Sequence, residues 1–110
     1  MRWALKVNAS SGNLHPTEVY LVCGPVKGLC DLPIVCHYAP RVHGLEVLAQ
    51  FDTGLWDRLR RPFPARTLFI GLASIHRREA WKYGLRANRY CMHDAGRAFG
   101  AISMAAAGLG

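Results

Sequence analysis

Hydrophobic and polar positions divide the chain into short blocks of two different periods. Residues 8–16 are polar and turn-rich, closing on His15-Pro16. The residue before a proline is pushed out of the helical region, so this stretch is predicted to be a loop. Glu18 to Cys23 is a β-branched and aromatic run stopped by Gly24-Pro25, which predicts a strand. Residues 26–32 connect it to a second short strand, Pro33 to Tyr38, ended by Ala39-Pro40. From His43 to Leu48 apolar and polar residues alternate, with Leu45, Val47 and Ala49 on one side. That pattern suits a third strand, paired with the second as a hairpin across residues 39–42.

The period then changes. Phe51 to Arg61 reads as a short helix capped by Asp52 or Thr53 and stopped by Pro62 and Pro64. Thr67 to Ala73 is almost wholly apolar, the pattern of a strand buried on both faces, with Phe69, Ile70 and Leu72 at a sheet centre. Ser74 is placed to cap a helix over Ile75–Tyr83 that ends at Gly84. Residues 89–109 form a long helix. Its apolar stripe runs through Cys91, Ala95, Ala98, Phe99, Ile102, Ala106 and Leu109, and glycines and alanines keep it thin. Strands followed by helices, without repeat or linker, predict a single α+β domain over residues 1–110.

Composition narrows the class. With 51% hydrophobic and 19% charged residues among 110, the chain is too apolar for disorder. No apolar run approaches the roughly 20 residues of a membrane span, and the N-terminus lacks the apolar core of a signal peptide. A cytoplasmic protein with reduced thiols at Cys23, Cys30, Cys36 and Cys91 is the expectation. The cysteine spacings are too wide for a zinc pair, so no metal site is expected. The net charge of +7 gathers at Arg58, Arg60 and Arg61 and again from Arg77 and Arg78 to Arg89. Without a recognisable nucleic-acid motif, these clusters read as solvated faces, with neither nucleic acid nor membrane as partner.

The stretch Ser10-Ser-Gly-Asn-Leu-His-Pro-Thr-Glu18 resembles the flavin-edge motif of the nitroreductase family, and is most similar to the branch holding SagB-type azoline dehydrogenases. Further segments agree in order. Residues 35–43 look like that branch's hairpin and residues 45–48 like its continuation, residues 68–74 like its central strand, and residues 105–110 like the end of its long helix. Arg89-Tyr-Cys-Met-His-Asp-Ala-Gly-Arg-Ala98 looks like the start of that helix. The resemblance implies a mostly antiparallel sheet flanked by helices and FMN bound where two units meet. It implies hydride transfer through the flavin to or from a small molecule or peptide azoline. It carries flavin contacts onto Ser10, Ser11, Gly12 and Asn13. Hydroxyls and an amide can answer the donors and acceptors of a flavin edge, and glycine lets backbone approach the ring.

The family's N-terminal phosphate motif and its segment beyond the long helix have no counterpart here, and Arg97 replaces its histidine. The expectation is therefore a partial domain, incomplete at both ends. It would partner a second copy or a tandem unit, expose apolar surface and self-associate. Its alternative is a non-catalytic remnant serving dimerisation or peptide binding. His15 and His43 are the candidate acid–base groups, since imidazole is the side chain that can change charge near neutral pH, and Lys82, Tyr83 and Tyr90 could reach a substrate.

Overall fold

A computed structural model describes Ser10, Gly12 and residues 14–110. The element order is β1 (Thr17–Cys23), β2 (Ile34–Ala39), β3 (Gly44–Gln50), α1 (Thr53–Arg60), β4 (Phe69–Ser74), α2 (His76–Tyr83) and α3 (Ala87–Leu109). A 3-10 turn over Gly84–Arg86 links the last two helices. The class is α+β. The chain divides into two compact units, one built from Met1–Glu18 with Leu72–Gly110 and the other from Val19–Gly71.

The strands lie in the order β3-β2-β1-β4. β1 and β2 pair antiparallel, with Leu21 opposite Cys36 and Cys23 opposite Ile34. β2 and β3 also pair antiparallel. The partner of Val35 is Ala49 and that of Cys36 is Val47, so Leu48 is an extra residue. This bulge breaks the expected alternation of Leu45, Val47 and Ala49. The buried centre of the Val19–Gly71 unit is Cys23, Ile34 and Cys36, with Leu21 and Cys30 packed against it. Burial pushes the Cys23 thiol up to about 11, assisted by Cys30 and then Cys36. Burial first and Cys30 second also raise Cys36. All four cysteines are free thiols.

In the same unit, α1 begins where Asp52 accepts a hydrogen bond from the Leu55 amide at 3.1 Å, so Asp52 is the cap. The helix buries Trp56, whose ring lies 6.4 Å from Phe51 and 5.8 Å from Phe69. The Trp56 indole occupies the space a Cβ at Gly24 would need.

β4 departs from expectation. It is an edge strand, and Ile70 is 45% exposed. An edge position leaves one row of backbone groups without a strand partner and less apolar surface covered. Phe69 and Leu72 are only half-buried. Ser74 does not cap α2 either. Ile75 holds that position without a side-chain cap bond, while its amide donates to the Pro16 carbonyl at 2.7 Å.

α3 starts two residues before the expected boundary, and its buried line is Ala87, Cys91, Asp94 and Ala98. These positions recur at steps of four, three and four, one face of a helix. The predicted stripe is rotated and cut short, for Phe99 is 67% and Leu109 90% exposed. No helix of the described residues is long and apolar enough to cross a membrane.

Replacing Trp56 by alanine is expected to cost about 3–5 kcal/mol by emptying the space between Phe51 and Phe69. Gly24→Ala should destabilise in the same direction by about 1–3 kcal/mol, because the indole must move. Urea unfolding followed by far-ultraviolet circular dichroism measures both.

Candidate functional site

The loop that carries the candidate binding residues is fastened to α3. The Ser10 hydroxyl donates to Asp94 Oδ2 at 2.5 Å, across 84 residues of sequence. The His15 amide donates to Ser10 Oγ at 3.0 Å. His15 adopts a positive φ of 46°, which turns the chain before Pro16. Asp94 is 1% exposed and also accepts from Arg97 Nη1 at 3.0 Å. Arg97, which the sequence leaves without a role, thus helps neutralise a buried carboxylate from the next turn of the helix.

A second tie runs from α2. Arg78 Nη1 donates to the His15 carbonyl at 2.7 Å and to Glu18 Oε1 at 2.5 Å. Arg78 therefore does not belong to a solvated face. Its neighbour Arg77 is exposed.

The loop also meets the C-terminal end of α2. A Cβ at Gly12 would come within 2.7 Å of both Lys82 Nζ and Tyr83 Oη, and Gly12 has φ of 64°. The positive φ favours glycine here, while the tips of Lys82 and Tyr83 could swing aside. Lys82 Nζ lies 5.7 Å from the centre of the Tyr83 ring, and that ring lies 4.2 Å from Tyr90. Gly12, which the resemblance makes a flavin contact, thus lies beside Lys82 and Tyr83, two residues named separately as able to reach a substrate, and Tyr90 packs on Tyr83. Ser11 and Asn13 lie outside the described residues.

His43 belongs to the other unit, in the turn between β2 and β3. Its Nδ1 is 2.7 Å from Tyr38 Oη, and its φ is 49°. Among the described residues, no group of three or more histidine, cysteine or acidic side chains is arranged to hold a metal ion.

One buried group escapes sequence reasoning. Glu79 on α2 is 0% exposed. Burial pushes its carboxyl above the usual range, Asp94 adds to the rise, and Lys82 opposes it. Burial, then Glu79, then Asp94 likewise raise the Cys91 thiol. The available signal was the spacing of Ile75, Glu79 and Tyr83, which puts the carboxylate on the side of α2 that is least solvated.

The donor set bears on the FMN implied by the resemblance. A hydroxyl has one donor and two lone pairs. Ser10 has spent its donor on Asp94 and one lone pair on His15, so one lone pair remains for a ligand N–H. Lys82 beside Gly12 carries donors suited to carbonyl oxygens. Among the described residues, Ser10 as acceptor only and Lys82 as donor are compatible with one edge of a flavin.

Comparison with models of known protein families and with curated proteins finds no match to this chain.

Arg78→Ala removes two hydrogen bonds from a charged donor and is expected to destabilise by about 1–2 kcal/mol, moderated by its partial exposure. Arg77→Ala should stay within about 0.5 kcal/mol of the parent. Equal effects in denaturant titrations would show that the Arg78 tie contributes nothing.

Proposed function

We propose that this chain is the flavin-edge portion of an FMN-dependent oxidoreductase of nitroreductase type, most similar to SagB-type dehydrogenases. One observation carries the reading. Two segments of the resemblance, the Ser10 loop and the Asp94 turn of α3, are joined by a 2.5 Å hydrogen bond. Separate stretches of a binding motif need to meet in space, and these do.

In this reading Ser10 accepts a hydrogen bond from the flavin edge, and the backbone at Gly12 lies close to the ring. Lys82 supplies positive charge and donors beside the loop, favouring electron density at that edge. Bound FMN would supply the hydride chemistry, and the protein its orientation and electronic tuning. The substrate class is a small molecule or a peptide-borne azoline, and the setting is cytoplasmic. The partner is a second copy or a tandem unit. The exposed apolar side chains of Phe99, Met104 and Leu109 along α3 support an associating surface.

Titration of the purified chain with FMN, followed by flavin fluorescence, is expected to saturate. Asn13→Ala should weaken binding about three- to tenfold, the loss of one hydrogen bond. Absence of binding both here and in a chain extended at both ends would favour the non-catalytic remnant instead.

Sedimentation should show self-association that Phe99→Glu abolishes. A parent chain that is monomeric at all concentrations would remove the dimer from the reading.

A further inference from the structure

Glu79 and Asp94 are acids buried together. Both are essentially inaccessible to water, and both Glu79 oxygens lack a hydrogen-bond donor among the described residues. The donors nearby are already committed. Ser10 gives its hydroxyl hydrogen to Asp94 Oδ2, and Arg97 reaches Asp94 Oδ1. Lys82, one turn along α2 from Glu79, is exposed and extends to the Gly12 loop. Cys91, the remaining titratable group facing the pair from α3, is buried, with its thiol pushed up. Two ionised carboxylates in these surroundings would lose hydration and repel each other. Two acceptors facing one another become partners once one of them carries a proton.

We propose that Glu79 is a neutral carboxylic acid donating its proton to Asp94. The Ser10–Asp94–Glu79 chain is then a proton-dependent latch that holds Ser10, and through it the His15 amide, on α3. The latch belongs to the packing of this unit and acts whether or not a flavin binds. The only bond change is transfer of the Glu79 proton to water. Loss of that proton places a second negative charge beside Asp94, and the Ser10 tether weakens with it.

The direction of the pH dependence follows. The ordinary Glu79 value is 4.5 and the folded value is raised. Below 4.5 the group is protonated in both folded and unfolded chains, and no stability is lost. As pH rises from there through the raised folded value, the folded chain binds more protons than the unfolded one and stability falls.

The test uses the full chain. Its infrared spectrum at neutral pH should show the carbonyl stretch of a protonated carboxylic acid, absent in Glu79→Gln. Thermal unfolding across the acid-to-alkaline range should show the parent losing stability with pH. Glu79→Gln, which keeps a donor at every pH, should melt about 4 °C or more above the parent at the alkaline end. It should approach the parent at the acid end. Corrected for intrinsic rate, exchange of the His15 amide, which Ser10 accepts, should quicken in the parent as stability falls and stay slow in the variant. A parent spectrum without the acid band at neutral pH overturns the proposal, even if the variant does not fold. So does a Glu79→Gln profile parallel to that of the parent.

Discussion

The carboxylate of Asp94 imposes the tightest constraint on the Met1–Glu18 and Leu72–Gly110 unit. It sits on the inner line of α3 between Cys91 and Ala98, where water cannot solvate it. A buried carboxylate needs donors. One comes from Arg97 on the same helix, and another must come from elsewhere in the chain. Ser10 supplies it. This demand gives Ser10 a defined position, since a serine has little apolar surface of its own to bury. The Arg78 bonds to His15 and Glu18 and the Ile75 amide bond to Pro16 add two further ties close by in sequence. Loop order here comes from polar ties, each depending on a group that is costly to leave unpaired.

The Val19–Gly71 unit is organised by different physics. Its centre is small, made of two cysteines and an isoleucine, and larger rings supply bulk through Phe51, Trp56, Phe63 and Phe69. A tryptophan over a glycine is an economical contact, because the missing Cβ lets the indole approach the backbone. The cost is a sheet with apolar edges. Val47 and Leu48 on β3 and Ile70 on β4 remain exposed. Those edge strands carry core-type composition at exposed positions.

Much of this architecture was legible in one dimension. The strand runs and the helix stops at Pro62 and Gly84 are local signals, and local signals fix elements. Asp52 was readable as a cap because its side chain reaches only its own helix. What was not legible depends on partners distant in sequence. Residues 67–73 have the composition of a central strand, and only the strand order makes β4 an edge. Ser74 has the chemistry of a cap, but the Pro16 carbonyl takes the Ile75 amide and moves the boundary by one residue. Arg77 and Arg78 are indistinguishable in a charge count. Their fates differ because Glu18 and His15 lie on one side only. On α3 the hydrophobic stripe pointed past Asp94, since periodicity ranks a carboxylate as solvent-facing. At the candidate site, Lys82 and Tyr83 come beside Gly12 through the fold and not through any spacing along the chain, and Glu79 was hidden by the same ranking that hid Asp94.

The commitment of Ser10 also sets what the loop can offer a ligand. A hydroxyl free to rotate answers donors and acceptors alike, and so discriminates little. Once its hydrogen is held by Asp94, Ser10 can only accept, and it selects for a ligand N–H. The complementary donors must come from backbone amides or from Lys82, on the other side of Gly12. A planar ligand edge that alternates carbonyl, N–H and carbonyl meets that division of roles, and an edge of acceptors alone does not. On the flavin reading, therefore, Asp94 acts on specificity without touching the ligand, by fixing the direction in which a neighbouring hydroxyl can bond. Its own ability to hold that hydroxyl depends on the charge state of Glu79 beside it, which ties the selectivity of the loop to a proton buried between two helices.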